Sequence, residues 1–219
     1  MTGSGHARIA GMGRIAAAVA LGLFLLIAAT SGGVMAQETA PASVKVADGA
    51  LILTAPKGYC VDKAASRDGK DGAFVLFGSC ASLANSATVT RPKVAAILTA
   101  SALPGAPTAQ QFRDSFASMA KFLSSDAGRA ALSRSGKAKT LRVRQIVAVG
   151  DVLYLRATDT SKSTTGEDFE PEYWRALFAL NGQIVSLSVL GLADMPLEDT
   201  AKRGLLEKFV ARVKAANRG

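Results

Sequence analysis

The sequence predicts an α+β domain: an antiparallel sheet carrying two main helices packed largely on one of its faces. Three observations lead there. Four apolar runs in the second half fall into two consecutive hairpins, one of them closed by Asn181-Gly182. Two segments, one opening at Thr108 and one closing the chain after Pro196, carry apolar residues at three- and four-residue spacing. For the resulting order of strands, helix, four strands and helix, a sheet with its helices segregated to one side is the natural layered solution.

The N-terminal 36 residues stand apart from that domain. Residues 1–14 contain Arg8 and Arg14 and no acidic residue, 15–30 form an apolar run, and Val34-Met35-Ala36 offers the side chains a signal peptidase reads. Cleavage between Ala36 and Gln37 is therefore expected. No cysteine follows the run and no adjacent arginine pair precedes it, so the general secretory route to a periplasm is the expected path. The rival expectation is an inner-membrane anchor over residues 15–34, about the ~20 residues that a bilayer requires. Residues 37–49, small and polar, read as a tether, and residues 50–219 as one domain of a size suited to a single core.

Within the domain, strands are expected over 51–55, 73–77 and 95–102, with a turn at Pro56-Lys57-Gly58 and a polar loop over 62–72. That loop contains DGKDG, but Lys70 falls at the third position, where a calcium loop needs an oxygen ligand, and Ser79 at the twelfth, where it needs a closing glutamate, so no calcium site is expected. Thr108 stands three residues before Gln111 in a capping-box arrangement, and Phe112, Phe116, Met119 and Leu123 then make one helix face. Such a stripe serves packing against a sheet before it serves a ligand. Asp126 is placed to cap a short second helix that ends near Gly136. The first hairpin spans 141–149 and 152–158.

The second hairpin carries its own register. Asn-Gly tolerates positive φ at both positions, so Leu180 pairs with Gln183, Phe178 with Val185, Ala176 with Leu187 and Trp174 with Val189. That face is wholly apolar and belongs in the core. The opposite face, with Tyr173, Arg175, Leu177, Ile184, Ser186 and Ser188, is mixed and is the first place to look for a ligand or partner. From 196 to 216, Leu197, Ala201, Leu205, Phe209 and Val213 repeat every four residues, widened by Leu206 and Val210 into a sheet-packing stripe.

Cys60 and Cys80 are the only cysteines, both in the exported part, so a mutual disulfide is expected. A reactive thiol is the alternative, although the close C-x-x-C spacing of redox pairs is absent. The only histidine, His6, lies in the signal, which leaves the mature domain without histidine-based catalysis or histidine-ligated metal. No nucleotide-binding glycine motif is present, and no cofactor is expected. Ser118-Met119-Ala120-Lys121 fits S-x-x-K, but within a helix and without S-D-N or K-T-G companions. Glu167, Asp168, Glu170 and Glu172 read as solvated charges in the loop before Trp174.

The Pro56 to Tyr59 P-x-G-Y segment, the Thr108 to Leu123 helix, the paired hairpins and the terminal helix together resemble the PsbP/Mog1/DcrB-like arrangement. That resemblance spans most of residues 50–217 and implies a fold but no single activity. The stretch from GYCVD at Gly58 to LFGSCA at Ala81 resembles a family of uncharacterised exported proteins from alphaproteobacteria.

After the signal there are 24 basic and 17 acidic side chains, a net +7. In a periplasm that charge favours anionic envelope components or acidic proteins rather than nucleic acid, with membrane contact of the chain itself only through an uncleaved signal. Between Ala127 and Gly150 no acidic residue occurs, while Arg129, Arg134, Lys137, Lys139, Arg142 and Arg144 all do. These six are expected to form a positive patch for an anionic partner, or else a solvated surface that also pairs with the acidic run. The expected role is a non-catalytic exported accessory or binding module; its rival is a histidine-free hydrolase using Ser118 with Lys121 or paired carboxylates.

Overall fold

The structure, a computed structural model, describes residues 40–162 and 169–218. Its first half contains β1 (Ser43–Val46), β2 (Leu51–Thr54), β3 (Tyr59–Gly69), β4 (Gly72–Ser79), the short α1 (Cys80–Leu83) and β5 (Ala96–Pro104). Three helices follow: α2 (Ala109–Asp114), α3 (Phe116–Ser124) and α4 (Asp126–Leu132). After a 3₁₀ turn at Ala138–Thr140 come β6 (Leu141–Val149), β7 (Val152–Asp159), β8 (Phe169–Leu180), β9 (Gln183–Leu192) and α5 (Asp199–Ala216). Seven strands form one sheet in the order β3-β4-β5-β9-β8-β7-β6, antiparallel throughout, and β1 and β2 pair separately. The class is thus α+β with a large antiparallel sheet.

The Asn181-Gly182 hairpin has the expected register at all four pairs. Both turn residues take positive φ, 48° and 74°, the conformation for which Asn-Gly is favoured. Trp174, Ala176, Phe178, Val185, Leu187 and Val189 are all buried. Helix α5 covers this face: Phe209 meets Phe77 edge-on at 5.5 Å, and Phe77, Leu98, Val189 and Trp174 are successive cross-strand neighbours. Leu205, Leu206, Phe209, Val210 and Val213 complete the layer.

The two helical regions do not share a face. Leu123 of α3 and Leu132 of α4 cluster with Leu153, Leu155, Ala157 and Tyr173, which point away from α5 because strand side chains alternate. The Tyr173 hydroxyl donates to the Leu132 carbonyl at 3.4 Å. The reason is written in β7, where Val152-Leu153-Tyr154-Leu155 is buried on every residue and so needs cover on both sides.

Four other expectations are corrected. The tether read over 37–49 contributes β1, whose Val46 is buried against the core, so the folded domain begins before residue 50. Residues 62–72 do not form a loop: β3 runs on to Gly69 as an edge strand with an irregularity between Asp62 and Arg67, and edge strands carry polar residues without losing their pairing. The second helix is capped by Ser125, whose hydroxyl accepts from the Gly128 N–H, and it ends at Leu132. Glu170 and Glu172 lie in β8, and Glu170 forms a buried ion pair with Lys202. Glu167 and Asp168, like Ala36 and Gln37, lie outside the described residues.

Cys60 and Cys80 are joined in a disulfide, their Cα atoms 4.8 Å apart. Antiparallel pairing of β3 with β4 sets Cys60 opposite Gly78, and α1 starts two residues later, which brings Cys80 back over the strand. Gly58 makes the approach to Cys60 possible. It takes φ +92°, and a Cβ there would lie 2.6 Å from the backbone of Pro92.

Candidate functional site

The basic cleft is assembled by three consecutive caps. The reciprocal capping box of Thr108 and Gln111 starts α2, and Ser115 closes it by donating its hydroxyl to the Phe112 carbonyl. Ser125 then ends α3 in an extended conformation and caps α4, so the two helices turn sharply on each other. Only glycine fits at that turn, because a Cβ at Gly128 would collide with the Phe122 carbonyl. Leu123 and Leu132 anchor the pair on the sheet, which sets the exposed side of α3 beside the edge strand β6.

Between them lies a cleft of about 880 Å³. Its charged lining consists of Lys121 from α3, Arg129 from α4, Lys139 from the 3₁₀ turn, and Arg142 and Arg144 from β6, with no carboxylate. The β6–β7 register shifts between Val143 and Gln145, leaving Arg144 as the extra residue of a bulge; its Nε donates to the Thr158 hydroxyl at 2.9 Å. Arg129 is engaged with Asp126 at 2.7 Å and with the Ser124 carbonyl. Lys121, Lys139, Arg142 and Arg144 have no ion-pair partner among the described residues and are exposed. Unpaired cations this close together raise one another's potential, which is relieved by bringing in an anion.

Four of the six sequence-predicted residues thus meet in the cleft: Arg129, Lys139, Arg142 and Arg144. Lys137 is exposed but does not line it. Arg134 is committed elsewhere. Its backbone N–H donates to the buried Asp159 carboxylate at 2.8 Å, its Nη2 donates to the Asp159 and Ser161 carbonyls, and its guanidinium covers the Phe169 ring. Burial by itself raises the Asp159 carboxyl, but the Ser161 hydroxyl, the Arg134 and Ser161 N–H groups and the Arg134 charge outweigh it and hold the carboxyl below its ordinary range.

Lys121 was legible only as half of S-x-x-K. The structure separates the two: the Ser118 hydroxyl donates to the Ser115 carbonyl at 2.8 Å and Ser118 does not line the cleft, whereas Lys121 does. The described part of the acidic run is remote from the patch in bonding, with Glu170 held by Lys202 and Glu172 by Arg156. No family model, no curated protein and no solved structure matches the chain.

Proposed function

We propose that this protein is an exported, non-catalytic binding module of the periplasm, delivered by the general secretory route, that holds an anionic envelope component through the basic cleft. One observation carries the reading: five cations from four separate elements converge on one concavity, and four of them have no ion-pair partner among the described residues. A surface selected only for solubility disperses its charges and interleaves both signs. The PsbP/Mog1/DcrB-like arrangement belongs to the same proposal, since it supplies a sheet scaffold that displays a site without a catalytic apparatus. The disulfide fits an oxidising compartment.

The test is co-sedimentation of the purified protein with anionic and with neutral liposomes at two salt concentrations. Binding to the anionic vesicles alone, weakening as salt rises, is the expected outcome, because screening shortens the reach of exposed charges to about 8 Å at physiological salt. Equal binding to both lipids, or binding indifferent to salt, removes the electrostatic cleft as its cause.

A further inference from the structure

The face opposite α5 is covered by α3 and α4 only toward β6, β7 and β8, and its remaining part carries an arginine with no acidic partner among the described residues. Successive strand registers align Leu76, Thr99, Ser188 and Arg175 in one row across β4, β5, β9 and β8, with Ser101 and Ser186 paired in the next. Thr99, Ser101, Ser186 and Arg175 are half-buried, and Ser188 is buried. Arg175 donates from Nε to the Ser188 hydroxyl at 3.0 Å and stands over the Tyr173 ring at 5.5 Å. Its Nη groups make no hydrogen bond among the described residues. A half-buried guanidinium on the sheet face, steadied by a hydroxyl and a ring and presenting an open fork, is preorganised for a carboxylate.

Tyr173 pairs with Leu190, and Leu190 with Ile97, so the ring beneath the guanidinium lies about two strand spacings, ~10 Å, from Ile97. Ile97 lines a cleft of about 600 Å³ together with Leu76, Leu83, Phe169, Leu192 and Met195. Its charged lining residues are Asp62, whose carboxylate accepts the Ala64 and Ala65 N–H groups, and Arg91. Leu83 and Met195 are large apolar side chains left exposed there, and the volume suits a small ligand. We propose that this sheet face and the adjoining cleft together bind a single-chain anionic amphiphile, its carboxylate on Arg175 and its hydrocarbon chain in the apolar cleft.

This second site is independent of the basic cleft, and titration calorimetry on the purified protein with decanoate and decanol, each below its aggregation concentration, tests it. Decanoate is expected to bind saturably and decanol roughly tenfold more weakly, the factor a single charged contact supplies. Arg175→Gln should reduce decanoate to the decanol level, and Arg175→Lys, which keeps the charge if not the fork, should restore part of it. Circular dichroism and thermal melting of each variant separate loss of binding from loss of fold. The Arg142→Glu/Arg144→Glu variant should still bind decanoate while losing anionic liposomes. Failure of decanoate to saturate the natively folded protein overturns the site. Undiminished decanoate binding in Arg175→Gln, or its loss in Arg91→Gln instead, overturns the role given to Arg175.

Discussion

Beneath α5, the cations that reach the sheet have partners within the chain, whereas on the opposite side Arg129 and Arg134 are paired but five others are left open. Lys202 meets Glu170, Arg156 reaches Glu172 and Asp199, and Lys214 meets Asp151 at 2.5 Å while lying over the Phe178 ring. Arg203 stacks on Tyr154 and Trp174 and pairs with Glu207. Across the sheet, Lys121, Lys139, Arg142, Arg144 and Arg175 have no such partner among the described residues. The difference separates structural from available charge. Lys202, buried under α5, needs its counter-ion from within the chain, while an exposed cation of the cleft keeps water, or takes a ligand, in that place.

The widest gap between the faces is expected at Lys202, 3% exposed and bonded to Glu170. Lys202→Ala strands the Glu170 carboxylate, which also accepts the Leu197 N–H, and is expected to cost about 3–5 kcal/mol in urea unfolding. Pairing Lys202→Met with Glu170→Leu should recover most of that loss, since it removes both charges together. A loss under ~1 kcal/mol for the single variant would mean that water reaches the pair and that the two faces are not distinct in this respect.

Next in size is the disulfide, at the far edge of the sheet from the basic cleft. Cys60→Ser releases a loop with a sequence separation of 20, worth about 3 kcal/mol in the chain-entropy model. Alkylation supplies the chemical control. Native protein should resist a thiol reagent until reduced, and the variant should expose Cys80. Ready alkylation of both cysteines without reduction would return them to the reactive-thiol reading.

Asp159 is intermediate, a buried carboxylate that fastens the segment carrying Arg134 to the end of β7. Its native pKa lies below the ordinary value, so its stabilisation is complete above about pH 4 and is lost as pH falls through the depressed native value. Urea midpoints at neutral and strongly acid pH should therefore differ less in Asp159→Asn than in the parent protein. The neutral-pH loss is expected at about 1–3 kcal/mol, the cost of disturbing a buried hydrogen-bonded acceptor. Parallel pH profiles would show that Asp159 does not contribute to the acid limb.

The same contrast explains what could be read from the residues in order. The Asn181-Gly182 register was legible because turn geometry and a period of two act over a dozen neighbouring residues. The terminal stripe was legible for the same reason, since each contact of Leu205, Phe209 and Val213 follows from the helix period. The side taken by α3 and α4 was misjudged because it depends on strands far along the chain, although the unbroken apolar Val152 to Leu155 run already signalled cover on both faces. The 62–72 stretch was misread because an exposed edge strand shows the composition of a loop. Of the six residues in the charge run, four line the cleft, Lys137 and Arg134 do not, and Lys121, which precedes the run, joins from a helix; Arg134 bonds to Asp159, 25 residues away, which a run along the chain does not reveal.

The smallest stability effect is the most informative for function. Arg142 and Arg144 are exposed on an edge strand, and the only hydrogen bond either side chain makes among the described residues is that of Arg144 to Thr158. Replacing both by glutamine is expected to change unfolding free energy by no more than about 0.5 kcal/mol. If the cleft is the binding surface, the same variant should bind anionic liposomes markedly less and with a shallower dependence on salt, because two of the charges that salt screens are gone. The Lys57→Gln/Lys137→Gln variant, which removes two exposed cations outside the cleft lining, is the matched control and should leave binding close to that of the parent. An equal loss in both variants would assign attachment to net charge rather than to the cleft. A loss confined to Arg142 and Arg144, with unfolding unchanged, ties binding to the cleft that α3, α4 and β6 build.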